Sequence, residues 1–146
     1  LTSKGGCFPD ARIAIFSGPD ERDAARPVMD AIPDDRLIDL AGTVDLLTAS
    51  ACLKRCALYV GNDSAVMHLA AAAGIPTIGL FGPSDDRHYA PWGYDTRVVR
   101  TPEDFPGIFP PGFDHRTSDT LMDGLTVAAV EAAITDLWQG HGREAA

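Results

Sequence analysis

The sequence predicts an α/β fold, a Rossmann-like parallel sheet with helices on both faces. Three observations carry that expectation. Short β-branched or apolar runs alternate with longer helical stretches, the joint after each run is rich in Gly, Ser, Thr and Asp, and 146 residues with 45% apolar content suffice for one core. Strand–helix–strand alternation calls for parallel pairing through right-handed crossovers.

Leu1-Thr2-Ser3-Lys4-Gly5-Gly6 reads as the end of a helix whose beginning lies upstream, so the chain is expected to be part of a longer polypeptide. Ala11 to Phe16 is the first strand, and Ser17-Gly18-Pro19 leads into a helix from Asp20 to Ile32. Arg36 to Leu40 is the second strand. Gly42-Thr43 then opens a helix from Val44 to Cys56. Ala57 to Val60 forms the third strand, followed by a helix from Ser64 to Ala73 that stops at Gly74 before Ile75-Pro76. Thr77 to Phe81 and Thr96 to Val99 complete the strands.

Thr101 to Asp119 carries Pro102, Pro106, Pro110 and Pro111 with Gly107 and Gly112, which predicts an irregular surface excursion. From Leu121 to Trp138, apolar Leu125, Ala128, Ala129, Ala132, Ala133 and Leu137 recur at helical spacing and predict a closing helix. The domain is expected to span residues 1–139, with 140–146 a disordered tail.

The formal net charge of −9 is spread along the chain and repels nucleic acid phosphates, so no nucleic acid partner is expected. Cys7, Cys52 and Cys56 form an odd set without zinc-ribbon spacing and read as reduced core thiols of a cytoplasmic protein. The first residues lack the charged start and apolar body of a signal peptide, and no apolar run reaches membrane-spanning length. His88, His115 and His141 have no metal-ligand spacing, so no metal is expected.

In an open parallel sheet, ligands bind beyond the carboxyl ends of the strands. Small, polar and acidic residues collect there: Ser17-Gly18-Pro19-Asp20-Glu21, Gly42-Thr43, Gly61-Asn62-Asp63-Ser64 and Gly82-Pro83-Ser84-Asp85. Any one such turn can be explained by helix capping alone. The third is the sharpest, because Asp63 as N-cap leaves the amides of Ser64, Ala65 and Val66 for an anion at the positive end of the helix. His68 lies one turn after Ser64 and should lean back toward that site; a core histidine bonded to a backbone carbonyl is the alternative. Glu21 either complements a helix dipole or accepts hydrogen bonds from a ribose diol. Neither a P-loop nor a Gly-x-Gly-x-x-Gly fingerprint is present.

The block from Tyr59 through Gly93, YVGNDSAVMHLAAAAGIPTIGLFGPSDDRHYAPWG, resembles the signature of glycosyltransferase family 9, the ADP-heptose:lipopolysaccharide heptosyltransferases and their relatives. It matches Asp-Ser/Thr-Gly-x-x-His, an alanine-rich helix, Gly-x-Pro, a strand, Phe-Gly-Pro-Ser/Thr and Pro-x-Gly in order. The turns Ser17-Gly18-Pro19-Asp20-Glu21 and Leu40-Ala41-Gly42-Thr43 agree more loosely. The resemblance implies the C-terminal, donor-binding half of a GT-B glycosyltransferase. It further implies inverting, metal-independent transfer without a cofactor, from ADP-heptose or another nucleotide-diphosphate sugar.

By that similarity Ser64 and the amide of Ala65 hold the donor diphosphate, Asp63 contacts the transferred sugar, and His68 supports the phosphates. Glu21 binds the ribose and Val44 lines the base. The acceptor, a lipopolysaccharide-core or other glycan, would bind through another domain, which would also supply the general base; this chain alone is then expected to be inactive. Peripheral membrane association of the full-length protein is compatible with such an acceptor. Ala65 stands where the family has Gly, and the family lysine near the phosphates has no counterpart, leaving Arg87 as the candidate cation. Two alternatives remain open: a non-catalytic or degenerate domain serving as an interaction module, and another GT-B enzyme with a different nucleotide sugar.

Overall fold

The computed structural model describes residues 8–103 and 121–144 of the chain. Most of the excursion expected from Thr101 to Asp119 therefore lies outside the described residues, as does Cys7. The chain divides into two compact units, Leu1–Ala51 and Cys52–Ala146. The strands are all parallel, as expected, and they pair as two sheets, one in each unit.

In the first unit β1 (Ile13–Ile15) pairs with β2 (Leu37–Asp39), Ile13 opposite Leu37 and Ile15 opposite Asp39. Arg36 fixes the entrance of this pair, its guanidinium donating to the Ala11 carbonyl at 2.6 and 2.9 Å. Between the strands run a 3-10 turn (Pro19–Glu21) and α1 (Arg22–Asp30), whose Met29 is buried, as is Ile32 just beyond it. Pro27 sits inside α1 and removes one of its i→i−4 hydrogen bonds. At the top of α1 the Arg22 guanidinium grips the Asp39 carboxylate with both nitrogens and also donates to the Ala41 carbonyl. The bidentate pair raises Arg22 and lowers Asp39 from their ordinary values. α2 (Leu46–Leu53) starts after Asp45, not at Val44, because the Asp45 carboxylate accepts from the Thr48 N–H at 2.7 Å and ends the turn there.

In the second unit β3 (Tyr59–Asn62), β4 (Thr77–Phe81) and β5 (Thr96–Arg100) form a sheet in that order. The central strand β4 is buried at Thr77, Ile78 and Phe81, the apolar run expected of a parallel strand covered on both sides. α3 (Ala65–Ala72) packs on β3 and β4 with Met67 and Ala70 inward. Contact is close: a Cβ on Gly79 would lie 2.8 Å from the Met67 sulfur. α3 is followed by Gly74 at φ +76°, the left-handed residue that lets the chain turn into Ile75-Pro76. A short α4 (Asp86–Tyr89) follows β4.

The closing helix α5 (Val127–Glu144) packs on β5 and continues past Gly140, where the sequence placed the tail. Its buried face is carried by Ile134 and Leu137, while Ala128, Ala129 and Ala132 are exposed. Alanines mark a helical stripe in the sequence, but the large side chains decide which side turns inward, since burial scales with apolar area. Cys52 and Cys56 are free and half-buried, and burial pushes the Cys56 thiol up. Among the described residues no helix is long and apolar enough to cross a membrane.

Candidate functional site

β3 extends through Asn62, past the Val60 at which the sequence ended it, because Gly61 and Asn62 pair with Gly79 and Leu80. The helix start shifts with it. Ser64, with extended backbone (φ −161°, ψ 164°), is the N-cap of α3, and its Oγ accepts from the Met67 N–H at 3.4 Å. This corrects the assignment of the cap to Asp63. The N–H groups of Ala65 and Val66 belong to the first turn and have no intrahelical acceptor. Ser64 and Ala65 are exposed, so a hydroxyl and the leading amides face solvent together at the positive end of α3.

Released from capping, Asp63 lies 3.6 Å from the His68 Nε2. The imidazole does lean back toward the helix start, and at 46% exposure it is not a core histidine. Asp63, Ser64, Ala65 and His68 thus converge on one turn at the carboxyl end of β3. Sequence reasoning missed Tyr59. Its phenol lies over Gly61, where a Cβ would lie only 2.3 Å from the hydroxyl. Burial raises the phenol above its ordinary value. The legible signal is the alternation Tyr59-x-Gly61, which puts a long side chain and a vacant position on one face.

Arg87, the candidate cation, pairs with the neighbouring Asp85. Its guanidinium donates twice to Asp85, at 2.9 Å each, and Asp85 also accepts from the Arg87 N–H while facing the His88 Nδ1 at 3.1 Å. Asp85 is the N-cap of α4, and the Arg87 pairing holds its carboxyl far below the usual range. Beside it, Arg100 pairs with Asp86 and donates to the Gly82 and Glu103 carbonyls.

Glu21 and Val44 belong to the first unit, on turns that touch each other. Gly42 donates its N–H to the Ser17 carbonyl at 3.0 Å. At φ +67°, with a would-be Cβ 3.0 Å from the Pro19 Cα, only glycine fits there without strain. Glu21 is exposed, and its Oε2 accepts from the Gly18 N–H at 3.0 Å, closing its own turn. Val44 is half-buried just before α2. Among the described residues no three His, Cys, Asp or Glu side chains gather to hold a metal ion.

Parallel sheets, flanking helices and a rim of capped turns at the carboxyl ends define a Rossmann-like α/β protein. The sequence profile of glycosyltransferase family 9 (heptosyltransferase) matches residues 9–106, and the chain belongs to that family. It is 29% identical over 91 residues to lipooligosaccharide heptosyltransferase 2 of Haemophilus influenzae, a match covering 60% of this chain and 26% of that protein. Against lipopolysaccharide heptosyltransferase 3 of Escherichia coli it is 34% identical over 82 residues, 55% of this chain and 24% of the relative. The chain spans about a quarter of the length of these curated relatives. Its fold superposes on the E. coli ADP-heptose lipopolysaccharide heptosyltransferase II structure with a TM-score of 0.69 at 23% identity, covering 90% of this chain and 37% of that one. The family 9 glycosyltransferase of Veillonella parvula gives 0.68 at 23% identity, covering 88% and 37%.

Proposed function

We propose that the chain is the donor-binding portion of a bacterial glycosyltransferase, a cytoplasmic heptosyltransferase of lipopolysaccharide-core synthesis. The observation that carries this reading is the exposed start of α3, where the Ser64 hydroxyl and the Ala65 and Val66 amides face outward beside His68. Neutral donors fixed at a helix N-terminus match a nucleoside diphosphate, whose negative charge grows as the sugar departs. In this reading Ser64 and the Ala65 amide hold the diphosphate, His68 supports it, and Asp63 meets the transferred sugar. Glu21 takes the ribose diol and Val44 the base.

The donor is ADP-heptose or a close nucleotide-diphosphate sugar, and transfer inverts the anomeric centre without metal or cofactor. The acceptor glycan and the general base lie outside the residues described. Ala65 in place of the family glycine keeps its amide, and its methyl stands exposed. A crystal of the chain soaked with ADP tests the reading: the phosphates should lie against the amides of Ala65 and Val66. An ordered nucleotide with its phosphates elsewhere overturns it.

A further inference from the structure

In the first unit the carboxylate of Glu21 and the guanidinium of Arg22 leave the start of α1 in different directions. Glu21 folds back over Gly18, whose N–H donates to Oε2 at 3.0 Å, and a Cβ on Gly18 would lie 3.2 Å from that oxygen. Arg22 reaches across to the exit of β2. Its Nη1 donates to Asp39 Oδ1 at 3.0 Å and to the Ala41 carbonyl, and its Nη2 donates to Asp39 Oδ2. Asp39 Oδ1 also accepts from the Ala41 N–H at 3.1 Å, so one side chain fixes both polar groups of Ala41, the carbonyl directly and the amide through the carboxylate.

The turn held in this way leads to Val44. Gly42, the next residue, lies against the Pro19 backbone and donates its N–H to the Ser17 carbonyl at 3.0 Å. The turn bearing Glu21 and the turn leading to Val44 are therefore joined twice, by backbone contact at Gly42 and by the Arg22 side chain. With side chains 40% and 32% exposed, the Arg22–Asp39 pair adds little to folding. A planar fork set on a carboxylate and a carbonyl supplies geometry instead, which a lysine ammonium does not reproduce. We propose that Arg22 is a positioning residue for the nucleoside half of the donor, setting the Glu21 carboxylate and Val44 at the spacing that ribose and base require. This inference rests on the reading of Glu21 as the ribose ligand and Val44 as the base contact.

The test is calorimetry with ADP and with inorganic pyrophosphate as the nucleoside-free control, each variant's fold being checked by urea denaturation. Arg22→Lys, which keeps the charge and loses the fork, should weaken ADP binding about 3- to 10-fold, the size of one hydrogen bond poorly made, and leave pyrophosphate binding unchanged. Asp39→Ala removes the partner from the other side and should do the same, with the double variant no more than about twofold weaker than either single one. ADP binding at wild-type strength in Arg22→Lys overturns the inference and leaves the donor-site reading intact. Pyrophosphate binding lost in step with ADP makes Arg22 a phosphate contact and also overturns it. So do additive losses, which give the two residues separate roles, and a loss confined to Asp39→Ala, which makes Asp39 itself the ribose ligand. If the unaltered chain binds no ADP, or Glu21→Gln leaves its affinity unchanged, the donor-site reading fails and this inference with it.

Discussion

Gly61→Ala is the sharpest probe of the geometry on which the candidate site stands. The added methyl would lie 2.3, 2.7 and 3.1 Å from the Oη, Cζ and Cε1 atoms of Tyr59, where ordinary contact begins near 3.4 Å, so the phenol has to move by about 1 Å. Over-packing of this kind costs about 1–3 kcal/mol. Replacing glycine by alanine within a strand returns about 0.5–1 kcal/mol of backbone entropy. The expected net loss is about 0–2.5 kcal/mol. Removing the obstruction first changes the sign: in a Tyr59→Ala background, Gly61→Ala should be neutral or stabilising by up to about 1 kcal/mol. Urea denaturation followed by far-ultraviolet circular dichroism on the four proteins measures both numbers. Equal costs of Gly61→Ala with and without the Tyr59 ring would refute the placement of the phenol over Gly61.

Ser64→Ala should destabilise the chain by about 1 kcal/mol through loss of the α3 cap, and Asp63→Ala, which breaks only a solvent-facing pair, by clearly less; the reverse order in urea midpoints would return the cap to Asp63. Glu21→Gln keeps an acceptor for the Gly18 N–H, so stability should hold while ADP affinity drops by about 1–2 kcal/mol; unchanged affinity in calorimetry reduces Glu21 to a turn residue. The Asp85 carboxyl is held down by Arg87, so its contribution is complete above the unfolded carboxyl value, about pH 4, and is lost as pH falls toward the depressed folded value. The stability difference between wild type and Asp85→Asn should therefore be flat near pH 5 and shrink on acidification below about pH 4; a difference unchanged at pH 2 refutes the pairing.

Strand β4 was legible residue by residue because an apolar run between Pro76 and Gly82 can only be a buried strand or a helix too short to form. The stop at Gly74 was legible because a left-handed residue is needed there. Gly61 and Asn62 are poor strand formers on their own, and only pairing with Gly79 and Leu80 recruits them. That tertiary effect moved the cap of α3 from Asp63 to Ser64. α4 is held mainly by the Asp85 carboxylate and carries no periodicity to read. The cluster of Asp63, Ser64, Ala65 and His68 could be anticipated because helical geometry alone brings those positions together. The lie of Tyr59 could not, since it depends on the vacancy at Gly61. Arg87 pairs with Asp85, two residues before it, a local partner that the sequence offered but that its reading as a candidate cation did not use.

A chain with net charge −9 repels a nucleoside diphosphate at long range, so any affinity must arise within a few ångströms of the phosphates. The arginines at the carboxyl ends of β4 and β5 do not change this, because Arg87 is bonded to Asp85 and Arg100 to Asp86. Asp63, 3.6 Å away, offsets any charge His68 carries. What remains at the start of α3 is a set of neutral donors: a hydroxyl and two amides aimed by the backbone. Such a site recognises a phosphate by geometry and by the short-range dipole of the helix start, with no ion pair for salt to screen. Raising ionic strength from about 50 to about 500 mM shortens the screening length severalfold and weakens the repulsion from the rest of the molecule. ADP affinity, measured by calorimetry across that range, should hold steady or improve slightly. A loss of more than about threefold would mean that an unpaired cation grips the phosphates, and the neutral-donor account of the site would have to be abandoned.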